Sequence, residues 1–504
     1  MKFNRSSGIL LHPTSLPGPY GIGDIGSRAH RWVEFLSGAG CGLWQVLPIG
    51  PTGYGDSPYQ CFSSFAGNPL LISPDALLKD DLLHPDDLYD HPCFPENRVE
   101  FGEVIPWKAG VLDRSFIRYQ HTQSLQLNTE MEEFQVQNTG WLDDFALFMA
   151  LKEAHGGAPW HTWEKPLRER QPEALSKVRK QHAVDIQRQI YRQFLFYRQW
   201  AKLKRLAHEK NIQIIGDIPI FVAHDSADVW SNPHLFHLDA TGMPTFVAGV
   251  PPDYFAPTGQ LWGNPLYRWD VHAATGYKWW LERIKATLDM VDIIRIDHFR
   301  GFAGYWEVPG NAKTAEIGRW VPGPGKDFFR SIRQSLGDLP IIAEDLGVIT
   351  PDVVELRDKF DLPGMRIFQF AFDSDPEDPF LPHNYPENCV VYTGTHDNDT
   401  VRGWYERVPE KDKAFYRRYL DRDGSIVSWD MIRGVWSSVA VFGLAPMQDF
   451  LNLGNEARMN YPGNPSGNWM WRMSTNAQTP ELQAKIKELN YLYSRMNTSS
   501  GNAI

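Results

Sequence analysis

Four carboxylates close apolar runs in this chain: Asp217 in "IQIIGDIPIFV", Asp297 in "VDIIRIDHFRGF", Glu344 in "LPIIAEDLG" and Asp397 in "CVVYTGTHDN". Other charges crowd the second of these. Val291, Ile293 and Ile294 suit a sheet interior, yet Arg295, Asp297, His298 and Arg300 follow within six positions. Arg295 and Asp297 are two apart, so on a strand they share one face, with Val291 and Ile293 expected to fill the core beneath them. Several carboxylates without a phosphate-binding motif point to acid–base work at a C–O bond. Glycoside transfer uses one carboxylate as nucleophile or base and a second as acid. The two roles require different pKa values in one pocket. Arg295 is expected to hold Asp297 ionised, as a nucleophile must be. Glu344 follows "PIIA", has fewer cations near it in sequence, and is the candidate general acid.

Such side chains need a rigid mount. Apolar runs recur at 8–16, 43–51, 212–222, 291–299, 339–347, 364–372, 389–398 and 438–446, eight strand candidates in all. Helical patterns lie between them, the first near 27–37 with Trp32, Phe35 and Leu36 at i, i+3 and i+4. Glycines 38, 40 and 42 stop that helix. Apolar strands alternating with helices predict a parallel sheet covered on its outside. Eight of them predict an α/β fold, a (β/α)8 TIM barrel, whose catalytic groups sit at the C-terminal strand ends, where the four acids fall. A bare barrel needs about 250 residues, so about half of the 504-residue chain is insertion. We read residues 1–504 as one catalytic barrel domain with two large insertions. The first, approximately 60–205, is largely helical, with segments at 142–153 and 184–208; the latter is amphipathic, with Ile186, Ile190, Phe194, Tyr197 and Ala201 at helical spacing. The second, 230–270, is rich in Pro, Gly, Trp and Tyr and reads as a long ordered loop.

Composition narrows the partners. A net charge of −11 with no Lys- or Arg-rich run argues against nucleic acid. No window approaches the roughly 18 apolar residues that span a bilayer, and the start of the chain does not read as a signal peptide. Cys41, Cys61, Cys93 and Cys389 are scattered without a CxxC, as expected of reduced thiols in a cytoplasmic protein. Aromatic residues reach 13%, with 19 Trp and 19 Tyr, side chains that pair an apolar face with a polar tip and so suit sugar rings. Tyr54, Tyr59 and Phe62 in "GYGDSPYQCF" read either as a packed surface loop or as a stacking platform at the barrel mouth. "GIGDIG" (21–26) matches a dinucleotide fingerprint, but the stretch from Pro13 separates it from its strand and no acid ends "LWQVLP". "IDHF" and "THDND" hold metal-ligating residue types without an HxH or HExxH spacing; no metal and no cofactor is expected.

"IIRIDHFRGF", "IIAEDLG" and "TGTHDNDT" resemble the nucleophile, acid/base and third-carboxylate motifs of the α-amylase clan. "LLHPTSLPGPYGIGDIG", "GDSPYQCFSSFAGNP", "GDIPIFVAHDSADVW", "GVPPDYFAPTGQLWGNPLY" and "RMNYPGNPSGNWMWR" resemble the 4-α-glucanotransferase (amylomaltase, or disproportionating enzyme) family, over about residues 7–495. The resemblance implies transfer of α-1,4-glucan segments from a donor maltooligosaccharide to the 4-hydroxyl of an acceptor, by a retaining double displacement, with cyclisation as a further outcome. It implies Asp297 as nucleophile, Glu344 as acid/base and Asp397 as the stabiliser of the distorted donor sugar, with His396 beside it. Arg295 would orient Asp297, Asp217 would be the acid of the third strand, and Tyr59 would stack near the cleaved sugar. Gln260 and Trp262 would belong to the loop covering the acceptor side, and Tyr54 to a more distant glucan contact. No separate C-terminal β-domain is implied. A covering loop such as 247–265, with Tyr254, Phe255, Gln260 and Trp262, would favour a sugar acceptor over water. The same carboxylates serve an α-1,4-glucan hydrolase, which remains the alternative, as does a sugar-binding protein on an inactivated barrel.

Overall fold

Each of the eight apolar runs contains or overlaps a strand, and the eight hydrogen-bond in parallel around a barrel. The computed structural model describes residues 3–121, 124–252 and 257–497. Its strands in chain order are β1 (Ser6–Leu10), β2 (Leu43–Gln45), β3 (Gln213–Pro219), β4 (Phe246–Val250), β5 (Gln260–Pro265), β6 (Ile293–Asp297), β7 (Gly304–Pro309), β8 (Arg319–Pro322), β9 (Ile341–Ala343), β10 (Gly364–Ile367), β11 (Cys389–Tyr392) and β12 (Phe442–Pro446). The barrel order is β10-β11-β12-β1-β2-β3-β6-β9. The ring closes where the Ala343 N–H donates to the Pro363 carbonyl (2.9 Å) and the Asp345 carboxylate accepts the Met365 N–H (2.6 Å).

Pleat alternation sorts the side chains of each strand. Leu43, Ile215, Ile293, Ile342, Met365, Ile367, Val390, Tyr392, Phe442 and Leu444 fill the barrel interior. Ile214, Ile218, Ile294 and Ile296 face outward into the layer shared with the helices. Arg295 and Asp297 therefore stand directly above Ile293 on the inner face. Val291 does not continue that column. It precedes β6, at the end of the helix Lys278–Met290, and packs in the outer layer, because alternation begins only at Ile293.

Between β2 and β3 the chain runs through the helices Phe101–His121, Leu125–Gln137, Leu142–Ala154 and the 27-residue Ala183–Glu209. The last buries Ile186, Ile190, Phe194 and Trp200. Its Trp200 Nε1 donates to the Met290 carbonyl (2.8 Å), tying this segment to the barrel wall before β6.

The 230–270 region is not a continuous loop. It carries β4 and β5, which with β7 and β8 form a four-stranded antiparallel sheet in the order β5-β4-β7-β8. Gly249 within β4, and Gly263 and Pro265 within β5, hide them from a propensity reading, and β4 finds its β7 partner far along the chain. No described helix is long and apolar enough to cross a membrane.

Candidate active site

Register places three of the four acids. Asp217 on β3 pairs with Arg295 on β6, and Ile296 on β6 pairs with Ala343 on β9. Asp297 ends β6 and Glu344 directly follows β9, so their carboxyl groups leave neighbouring strands at one level. Adjacent strands lie about 4.8 Å apart, the scale of the roughly 5 Å separation that retaining chemistry uses.

Glu344 is gripped by backbone. The His298 N–H donates to its Oε2 (2.7 Å) and the Leu346 N–H to its Oε1 (2.9 Å). His298 adopts a left-handed conformation (φ 51°), which turns its N–H back toward Glu344. Non-glycine residues adopt that region at a cost, and such strain gathers at functional sites.

Arg295 bridges two acids. Its Nη1 donates to Asp217 Oδ2 (2.5 Å) and its Nη2 lies 3.0 Å from Asp297 Oδ1. Asp217 is wholly buried and also accepts the Tyr59 hydroxyl (2.6 Å). Burial and the Asp217 charge raise the Tyr59 phenol well above its ordinary value, so it stays a donor. The Tyr59 ring lies parallel to His396 at 5.1 Å, with Trp469 tilted against both.

Asp397 is held from two sides. His396 Nε2 lies 3.3 Å from its Oδ2 and Asn460 Nδ2 donates to its Oδ1 (2.7 Å). Arg458 donates to its backbone carbonyl (2.6 Å) and also pairs with Asp399.

The carboxyl groups differ in acidity. Burial pushes Glu344 up to about 7, with Asp297 adding to the rise while Arg295 and the two N–H donors oppose it. Burial also pushes Asp297 up, to about 6, against the pull of Arg295. Proximity to Arg295 therefore does not hold Asp297 at an ordinary carboxylate value: the guanidinium is shared with Asp217, and Asp217 and Asp397 both repel the Asp297 charge. Both carboxyls are raised by burial, and the two titrate as a pair. Asp397 is held down, to about 2: the desolvation cost is outweighed by His396, Asn460 and Arg295.

Trp262 stands edge-on to His298 (4.7 Å) and donates to Gln260 Oε1 (3.3 Å), so the β5 residues reach the loop after the nucleophile candidate. Tyr254 and Phe255 lie outside the described residues. Tyr54 is 77% exposed in the turn Tyr54–Asp56 and is not drawn into the carboxylate group. Sequence reasoning did not single out Asn460, Arg458 or Trp469, which sit in the aperiodic "RMNYPGNPSGNWMWR" stretch after β12. It also passed over His12, buried at the end of β1 and kept neutral, near 3, by burial and by the charge of His396. Among the described residues no group of three or more His, Cys, Asp or Glu is placed to hold a metal ion.

Residues 11–478 match the sequence model of the 4-alpha-glucanotransferase family. The chain is 50% identical over 497 residues to the 4-alpha-glucanotransferase of Thermus thermophilus, covering 97% of this chain and 99% of that one. It is also 50% identical over 497 residues to the 4-alpha-glucanotransferase of Synechocystis sp., covering 97% and 98%. The solved structure of amylomaltase from Streptococcus agalactiae in complex with acarbose superposes with a TM-score of 0.95 at 40% identity, covering 98% of this chain and all of that one. A barrel with Asp297 and Glu344 on adjacent strand ends, matched along nearly its whole length to these relatives, belongs to the 4-alpha-glucanotransferase family.

Proposed function

We propose that Asp297, Glu344 and Asp397 carry out a retaining double displacement on α-1,4-glucans. The observation that carries the reading is the pair on neighbouring strand ends, with Asp297 held by Arg295 and Glu344 aimed by two backbone N–H donors. An Asp297 oxygen bonds to the anomeric carbon of the donor while the bond from that carbon to the bridging oxygen breaks. The Glu344 proton passes to the departing oxygen. The Glu344 carboxylate then takes the proton of an acceptor 4-hydroxyl, whose oxygen displaces Asp297. Asp397, ionised and oriented by His396 and Asn460, binds hydroxyls of the distorted donor sugar. Arg295, fixed by Asp217, orients Asp297, and Tyr59 and His396 form the aromatic wall at the cleaved sugar. Gln260 and Trp262 cover the acceptor side, and exposed Tyr54 is a remote glucan contact. The helical segment of about 60–205 and the 230–270 region are insertions in one catalytic barrel. Four free cysteines suit a cytoplasmic enzyme.

Incubation with maltotriose tests this directly. Transfer yields glucose plus a ladder of longer and shorter maltooligosaccharides at a constant number of reducing ends. A rise in reducing ends without longer products would mean hydrolysis, and an unchanged substrate would mean binding alone. Asp297→Asn should abolish the ladder; retained full activity would sink the assignment of the nucleophile.

A further inference from the structure

Arg300 is buried, yet forms no ion pair in the described structure. Its donors go to backbone instead. Nη1 donates to the Val348 carbonyl and Nε to the Gly304 carbonyl (3.4 Å), while the guanidinium lies over the Trp320 ring at 3.9 Å from the centroid. A guanidinium used this way exploits its planar fork rather than its charge. Its three partners belong to two structures, the loop after β9 and the antiparallel sheet. Val348 follows Glu344 and Leu346 in the loop after β9. Gly304 begins β7. Trp320 lies on β8, in the same sheet whose β5 carries Gln260 and Trp262.

The loop that Arg300 grips also holds the acid. Leu346, two residues before Val348, donates its N–H to Glu344 Oε1, and His298, two residues before Arg300, donates its N–H to Oε2. The Phe299 N–H donates to the Glu344 carbonyl (3.1 Å). Both N–H groups that aim the Glu344 carboxyl are thus carried on the two loops that Arg300 clamps together. We infer that Arg300 is a positioning residue for proton transfer: it ties the loop after Asp297 to the loop after Glu344, sets the acid against the bridging oxygen, and with Trp320 anchors the covering sheet to both. This rests on Glu344 being the acid/base.

The test separates bond breaking that needs an acid from bond breaking that does not. With a glucan donor, the bridging oxygen departs with the Glu344 proton. With α-maltosyl fluoride, Asp297 forms the same bond to carbon while fluoride departs as the anion. Arg300→Met keeps the apolar stem against Trp320 and removes the donors. Its kcat/KM for maltotriose disproportionation should fall by about tenfold or more, since small misplacements of reacting groups are costly. The burst of fluoride release, which reports formation of the glycosyl-enzyme, should slow by less than about twofold, because it forgoes general-acid help. Trp320→Leu, at a 44% exposed position, should show the same selectivity and serves where Arg300→Met does not fold. Equal losses on both donors, or no loss on maltotriose, would overturn the inference. Glu344→Gln is the control. If it loses the burst as fully as the glucan reaction, the acid assignment falls and the clamp with it. If Glu344→Gln is selective and Arg300→Met is not, the clamp alone falls.

Discussion

Burial controls the chemistry at the scale of single residues. Asp297 and Glu344 were legible in the sequence as acids at strand ends, but their acidities were not, because those depend on what other strands bring. Arg295 was expected to depress Asp297; Asp217, from a strand 80 residues earlier, takes part of that charge. With Asp297 as the proposed nucleophile and Glu344 as the proposed acid, the displacement would need the first ionised and the second protonated, so kcat/KM should trace a narrow bell with its maximum between about 6 and about 7, the two limbs belonging to the coupled pair. Glu344→Gln assayed with α-maltosyl fluoride should lose the alkaline limb; an unchanged profile would remove Glu344 from the acid role. The same residue has a thermodynamic cost. The folded-state value of about 7 lies above the ordinary glutamate value, so the folded chain binds the extra proton, and stability falls as pH rises from about 4 to about 7. Above that window the cost is complete; below it, it vanishes. Glu344→Gln should therefore be more stable than the parent near pH 8, by about 1–3 kcal/mol, and equal to it near pH 4. Replacing one carboxylate oxygen by an amide nitrogen that faces a backbone N–H trims the gain. Urea unfolding at both pH values measures it, and a variant less stable at pH 8 contradicts the burial argument.

At the scale of elements, the barrel strands announce themselves because parallel strands buried on both faces are nearly continuous apolar runs. Their ends do not. "LWQVLPIGP" yields only Leu43–Gln45 and "LPIIAEDLG" only Ile341–Ala343, since the chain leaves the ladder as soon as it reaches the site loops. The antiparallel covering sheet was missed because its signal is non-local: β4 needs β7, and neither strand reads strongly alone. A comparable non-local device closes the far end of the barrel. Arg495, fully buried just beyond the helix Pro480–Leu492, donates to the carbonyls of Ser6 (2.8 Å), Trp436 (2.8 Å), Ser438 (3.2 Å), Ala440 (3.0 Å) and Val441 (3.3 Å). It thus fastens the entries of β1 and β12, at the N-terminal face away from the acids. Arg495→Met should orphan these carbonyls and cost about 3 kcal/mol in urea unfolding, while kcat/KM stays within about twofold because stability and catalysis occupy opposite barrel faces. A large loss of activity in the folded variant would show that the two ends are coupled.

At the scale of the whole molecule the question is which nucleophile meets the glycosyl-enzyme first. The carboxylates do not decide between a sugar hydroxyl and water; what stands over them does. The antiparallel sheet reaches the loop after β6 through Trp262, edge-on to His298, through Trp320 against Arg300, and through the Gly304 carbonyl, which accepts from Arg300. Trp262 is a partly buried aromatic of that sheet in edge contact with His298. On the proposed reading, an indole there would exclude water and offer a sugar ring a flat face, favouring an acceptor over hydrolysis on both counts. Trp262→Ala should leave formation of the glycosyl-enzyme within about threefold, since Asp297, Glu344 and Arg295 keep their partners, and should raise the share of hydrolysis about tenfold, on the order of one acceptor contact of 1–2 kcal/mol. The measurement needs two readouts on one maltotriose reaction. Reducing ends stay constant in transfer and increase in hydrolysis, while glucose is released in both. A variant that slows both equally would place Trp262 in donor binding. A variant that produces new reducing ends at nearly the parent rate of glucose release would assign transfer to the covering sheet rather than to the carboxylates beneath it.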